Sequence, residues 1–187
     1  MIVAGLDPGS RRAGYAVLRM DSHAMEIITM GSWDLVKIAG PDFGDRICEL
    51  HRLVTEFYKS HNPHVIGFEK AVAFKNIASA MKLSEARGVI RLAAHQVLAE
   101  APKRFIELSP TEIKRSAAGL GFSSKASIER ALRLRFPGSR AFLEAAAEGS
   151  GKIAHDAFDA VAIAWAAKAR FRLGTFGKGK IDVDAGT

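Results

Sequence analysis

Four carboxylates stand where an apolar core would not ask for them: Asp7 in GLDPGSRRAGYAVL (residues 5–18), Glu69 at the end of VIGFE, and Asp156 and Asp159 in HDAFDAVAIAWAA. Taken singly, each has an ordinary explanation. An aspartate before Pro-Gly is a turn former, a strand-end glutamate is commonly solvated, and acidic side chains suit a helix N-terminus. Their spacing makes the set different. If the strands ending in Asp7 and Glu69 are parallel neighbours, their carboxyl ends lie about 4.8 Å apart, in the crevice where open α/β sheets place ligands. Asp156 and Asp159 are three residues apart on an otherwise apolar helix, so they share one face, and that face must meet something. Four converging carboxylates would repel one another and lose hydration unless cations compensate. Oxygen donors with no cysteine, and with only His155 nearby, favour Mg²⁺ or Mn²⁺ over zinc. His155 itself stays open between a direct role in catalysis or metal binding and a surface or supporting position.

The elements that must position these groups are legible from periodicity. IVAGL (2–6) reads as a buried strand, DPGSRR as a turn, GYAVLRM (14–20) as a second strand and the region near EIITMGSWDL as a third, joined by connections short enough for an antiparallel meander. Phe43, Ile47, Leu50, Val54 and Phe57 recur at helical spacing until HNP (61–63) breaks the pattern, and VIGFE (65–69) follows as a fourth, buried strand. Residues 76–100 read as a helix with two apolar or small faces: Ile77, Met81, Ser84, Gly88 and Leu92 on one, Ala80, Leu83, Ile90, Ala94 and Val97 on the other. RFIEL (104–108) supplies a fifth strand, and Ser109-Pro110-Thr111-Glu112 opens a helix with a cap, a first-position proline and a capping-box glutamate. Two more helices are expected, at about 125–136 and from about Ile153 to Arg172. The order describes an α/β fold: a five-stranded mixed sheet, with a three-stranded antiparallel meander plus two parallel strands, flanked by helices. One domain is expected over residues 1–173, with 174–187 as a flexible tail.

Charge narrows the partner. The chain of 187 residues carries a formal net charge of +7, which favours a polyanion such as nucleic acid. The excess concentrates between residues 103 and 135, where Lys103, Arg104, Lys114, Arg115, Lys125, Arg130, Arg133 and Arg135 face three acidic residues. Such contacts with phosphate set affinity and salt dependence rather than sequence choice. Phe74, between Lys70 and Lys75 in KAVAFKN, is either an aromatic that stacks on an unpaired base or a core residue. A single cysteine, Cys48, rules out an intrachain disulfide framework and suits a reducing, cytoplasmic setting. No run approaches a membrane span, and no membrane partner is expected.

The ordered set GLDPGSRRAGYAVL, GFEKAVAFKNIASAMKLSEARG, LSPTEIKRSAAGLGFSSK and HDAFDAVAIAWA, spanning roughly residues 2–168, resembles the RuvC-type Holliday-junction resolvases of the ribonuclease H-like superfamily. The resemblance implies that Asp7, Glu69, Asp156 and Asp159 are the metal-binding, catalytic carboxylates, and that Lys114 and Lys125 match lysines needed for activity or lying near the scissile phosphate. Together with Lys70, Phe74, Lys75 and Arg115, these two lysines form the expected DNA-binding set. Two ions per site could activate a water and stabilise the departing 3′ oxygen, leaving 5′-phosphate ends. The family's aromatic typically comes about three residues after the glutamate, where this chain has Val72. The resemblance also implies a homodimer that presents two active sites to a four-way junction, formed through the second face of the 76–100 helix. A branch-migration helicase stays open as a further partner. A phage-type nuclease of relaxed branched-DNA specificity is the nearest alternative, and a non-catalytic junction binder would be expected to lack a carboxylate. An actin-like phosphotransferase would need a second glycine-rich phosphate loop and a second large domain.

Overall fold

Apolar alternation along the first strand sends Val3 to one side of the sheet and Ala4 and Leu6 to the other, and a separate core grows on each side. In the computed structural model, which describes residues 1–20, 25–70, 76–99, 104–119, 124–139 and 151–172, five strands form one sheet. They are β1 (Ile2–Asp7), β2 (Arg12–Met20), β3 (Met25–Asp34), β4 (Val65–Glu69) and β5 (Phe105–Leu108), in spatial order β3-β2-β1-β4-β5. β1 pairs antiparallel with β2, and β2 with β3; β4 pairs parallel with both β1 and β5. This is the mixed sheet expected from the sequence, with Asp7 and Glu69 ending adjacent parallel strands.

On one side of the sheet lie the short helix α1 (Leu35–Ala39), α2 (Phe43–His61) and α3 (Ile77–Val97). Leu35, Leu50, Val54, Tyr58, Ala86, Ile90 and Ala94 pack there against Ala4, Leu6, Val17 and Ile66. On the other side lie α4 (Pro110–Ala118), α5 (Lys125–Arg135) and the long α6 (Gly151–Arg172). Ile113, Ile128, Leu132, Phe158, Val161 and Ile163 meet Val3, Ala16, Leu18, Val65 and Ile106 on that face.

Helix ends follow local chemistry. Asp42 caps α2 by accepting from the Asp45 N–H, and Asn62 closes it in the left-handed region at φ 40°. Ser109 and Glu112 form the expected reciprocal capping box around Pro110. The third helix divides its two expected apolar faces. Ala80, Leu83, Ile90, Ala94 and Val97 are at least partly buried, but Ile77, Met81, Ser84, Gly88 and Leu92 are all exposed. A single chain therefore buries only one of the two faces. The sequence reading also passed over α1 and the 3₁₀ turn Pro137–Ser139, whose buried Ser139 hydroxyl accepts from the Ile27 N–H at 2.9 Å. Among the described residues no helix is long and apolar enough to cross a membrane.

Candidate active site

Two strands carry the same alternating pattern toward α6. Val3, Gly5 and Asp7 on β1, and Val65, Gly67 and Glu69 on β4, fall on one face by the period of two. The valines join the core beneath α6, and the glycines let its backbone come close. A Cβ on Gly5 would stand 2.0 Å from the Ala160 carbonyl oxygen, and one on Gly14 of β2, the partner of Asp7, would stand 2.1 Å from that of Asp156. At such distances no side chain fits, so α6 lies directly on the sheet and its first described turns are carried over the ends of β1 and β4. The two strand-end carboxylates thus point toward the helix that bears Asp156 and Asp159.

Electrostatics show how closely the four groups gather. Asp7 is pushed up from 3.8 to about 7, first by burial, then by the charges of Asp159, Glu69 and Asp156, with Lys125 opposing. Glu69 is also raised, by burial first and by Asp159 next, against the lowering influence of Lys114, Arg87 and Lys125. Carboxylates from three distant stretches of chain therefore feel one another in a poorly hydrated place. Cationic side chains relieve part of the repulsion. Arg12 donates its Nε–H to Asp156 Oδ2 at 2.8 Å, with the Ser32 hydroxyl 3.4 Å from the same oxygen, and Lys125 Nζ donates to Asp159 Oδ2 at 2.8 Å.

The donor set is all oxygen, of the kind hard divalent cations take. With Asp156 turned to Arg12 and Asp159 to Lys125, no three His, Cys, Asp or Glu among the described residues are arranged to grip an ion. Asp7 nevertheless sits buried beside the charges of Asp159, Glu69 and Asp156 with Lys125 alone opposing, and an all-oxygen acidic surrounding of this kind fits a cation.

Glu69, Lys114, Lys125 and Asp159 line a cleft of about 370 Å³ beside the carboxylates, floored by Ile113, Ile128 and Ile163. This brings two of the expected DNA-binding lysines to the site. Lys70 is exposed immediately after Glu69, its N–H donating to the Leu108 carbonyl at 2.8 Å, and His155 is exposed beside Asp156. Arg115 lines a different groove, with Leu108, Ser116 and Arg170, so the structure separates it from Lys114. Phe74, Lys75 and Lys103 lie outside the described residues, as do 120–123 of the loop between α4 and α5 and the expected tail at 174–187.

Several of the basic side chains counted in this region have structural partners, though only a carboxylate partner offsets charge. Arg104 donates to Asn62 Oδ1 and the Pro63 carbonyl, Arg133 pairs with Glu129, and Arg135 donates to the carbonyls of Ser116 and Ala117. Conversely, the sequence reading missed Arg12 and Arg87. Arg87 of α3 donates to the Glu69 backbone carbonyl and to Glu107 Oε1, and its guanidinium sits 4.8 Å from the centre of the Phe68 ring, so it fixes the end of β4. Arg12 looked like a turn residue because β2 was expected to begin at Gly14. The paired arginines after Asp7-Pro8-Gly9-Ser10 were the available signal.

Known proteins share both sequence and fold with this chain. A family profile described as "Crossover junction endodeoxyribonuclease RuvC" matches residues 3–166. The protein of that name from Sinorhizobium medicae is 30% identical over 162 residues, covering 87% of each chain, and that from Pseudomonas entomophila is 32% identical over 127 residues, covering 68% of this chain and 69% of the relative. Among solved structures, T. thermophilus RuvC in complex with a Holliday junction substrate superposes with a TM-score of 0.76 at 22% identity, covering 94% of this chain and 97% of the other. The yeast mitochondrial Holliday junction resolvase gives a TM-score of 0.68 at 18% identity, covering 93% and 80%. The fold is that of ribonuclease H-like resolvases, and the chain belongs to the crossover junction endodeoxyribonuclease RuvC family.

Proposed function

We propose that this protein is a metal-dependent endonuclease that resolves Holliday junctions in DNA recombination and repair, acting as a homodimer that makes paired nicks. One observation carries the reading: Asp7 and Glu69, at neighbouring strand ends, are raised by burial and then by the charges of aspartates from a distant helix, Asp159 and Asp156 acting on Asp7 and Asp159 on Glu69. Support comes from the relatives named for crossover junction cleavage and from the T. thermophilus protein solved with its junction.

Two Mg²⁺ or Mn²⁺ ions held by these carboxylates would supply an activated water and charge neutralisation for in-line phosphodiester hydrolysis. The chain's own share is placement. β1 and β4 offer Asp7 and Glu69 from neighbouring rigid strand ends, and α6 offers the two aspartates from above. Lys114 and Lys125 bring ammonium groups to the adjoining cleft, where they would draw in and orient a phosphate. Lys125 and Arg12 also pair with Asp159 and Asp156 and so help to position them. The exposed apolar face of α3 offers the surface for a second copy.

Incubation with four-way junction, forked and duplex DNA, in Mg²⁺, Mn²⁺ or chelator, tests this directly. The expected result is nicking of the four-way junction with 5′-phosphate products, abolished by chelator and by Asp7→Asn, while Asp7→Asn still binds the junction. Normal nicking by Asp7→Asn would refute the assignment.

A further inference from the structure

A second cleft opens on the opposite flank of the carboxylates. It measures about 710 Å³, and its walls include Asp7, Gly9, Arg11, Arg12, Lys37 and Asp156. The two clefts divide the four carboxylates between them: Glu69 and Asp159 face one, Asp7 and Asp156 the other. Three cations stand in the second cleft, and they are not equivalent. Arg12 is committed to Asp156 at 2.8 Å. Arg11 and Lys37 are exposed, and among the described residues neither side chain has an ion-pair partner. Asp34, which also lines the cleft, forms no ion pair with either and caps α1, its Oδ1 accepting from the Lys37 N–H at 3.1 Å. The backbone beneath is well held. The Arg11 carbonyl accepts from the Leu35 N–H at 3.0 Å, and the buried Arg46 donates Nε–H to the Ser10 carbonyl at 2.9 Å.

We propose that this cleft is a second strand-binding surface, in which Arg11 and Lys37 contact backbone phosphates of DNA on the side of the scissile bond opposite Lys114 and Lys125. The inference rests on the nuclease reading and deepens it. A phosphodiester cut at the carboxylates has polynucleotide on both sides, so a linear polyanion that lies along one cleft must continue into the other. A polar cleft with two free cations on a braced backbone suits that continuation. Contacts of this type add affinity and register without reading bases.

The test uses the full-length protein and four-way junctions, with binding measured in chelator and nicking in Mg²⁺. Loss of two phosphate contacts in Arg11→Ala/Lys37→Ala should lower the slope of log affinity against log salt by about 1.8, at roughly 0.9 per contact. Lys59→Ala, an exposed lysine of α2 outside both clefts, should leave the slope unchanged. Junctions carrying neutral methylphosphonates on one or the other side of the scissile phosphate then locate the contacts. Wild type should weaken with either substitution, whereas the double variant should lose its sensitivity on one side only. If wild type binds and nicks the junction while the double variant keeps the full salt slope and both sensitivities, this inference is overturned and the nuclease reading stands. A slope change from Lys59→Ala equal, per charge removed, to that of the double variant overturns it too. Failure of wild type to bind or nick any junction removes the nuclease reading and this inference together.

Discussion

Burial first, and then the charges of Asp159, Glu69 and Asp156, oppose ionisation of Asp7, which is why its pKa rises to about 7 from 3.8. An acid with a higher pKa in the folded than in the unfolded protein stabilises the fold fully below the unfolded value and loses that contribution as pH climbs through the folded one. Glu69 shifts in the same direction. In chelator, then, the thermal midpoint should fall as pH rises from about 4 to about 7, by an amount corresponding to a few kcal/mol. Asp7→Asn cannot ionise, so it should flatten this fall and melt above wild type near about pH 8. Parallel melting curves for the two proteins across that range would remove the premise of mutual repulsion. The four carboxylates were legible in the sequence because aspartate and glutamate at strand ends, and two aspartates on an apolar helix, contradict their surroundings. Arg12 and Arg87 were not. Arginine after a turn or on an amphipathic helix contradicts nothing locally, and its partner Asp156 or Glu69 lies far away in sequence.

Strands and helices place the carboxylates through a packing rule that periodicity alone does not reveal. The repeated Val-x-Gly-x-acid of β1 and β4 was visible in IVAGLD and VIGFE, but the need for glycine there depends on α6, which begins only at Gly151, far downstream of both strands. Gly14 makes the rule testable. A methyl group at this position would meet the Asp156 carbonyl oxygen at 2.1 Å, and the atom in its way is helix backbone, which cannot swing aside like a flexible side chain. Gly14→Ala should therefore lift the start of α6, costing on the order of 1–3 kcal/mol of stability for an overpacked contact. Because Asp156 and Asp159 ride on that helix, junction cleavage at saturating DNA should fall much further than junction affinity. Equal losses of binding and cleavage would mean that the helix tolerates the methyl group. Ends of elements set by neighbours in sequence were readable, as the Ser109/Glu112 box shows. The five-residue α1 was not, since it is too short to show a helical period and its only mark is the Asp34 cap.

For the whole molecule, short connections made the antiparallel meander of the first three strands legible, whereas the adjacency of β1 and β4 stood in the sequence only as a condition that the sheet order meets. The third helix posed a harder question, because an apolar face looks the same in sequence whether its own chain or another covers it. In the structure Ile77, Met81 and Leu92 remain 78, 61 and 52% exposed, while the opposite face of the helix packs against α2 and the sheet. Side chains that contribute nothing to the core of one chain can be changed without unfolding it. In a two-fold dimer each change counts twice, so replacing Met81 and Leu92 by glutamate would remove four buried apolar groups, on the order of 6 kcal/mol at about 1.5 kcal/mol each. The Met81→Glu/Leu92→Glu variant should melt within a few degrees of the dissociated wild type, sediment as a monomer at micromolar concentration, and retain Asp7, Glu69, Asp156 and Asp159 in place. Its nicks on a four-way junction should then fall on one strand at a time, with the coordinated pair lost. A variant that stays dimeric, or a monomer that still cuts both strands in concert, would detach the exposed face of α3 from symmetric resolution.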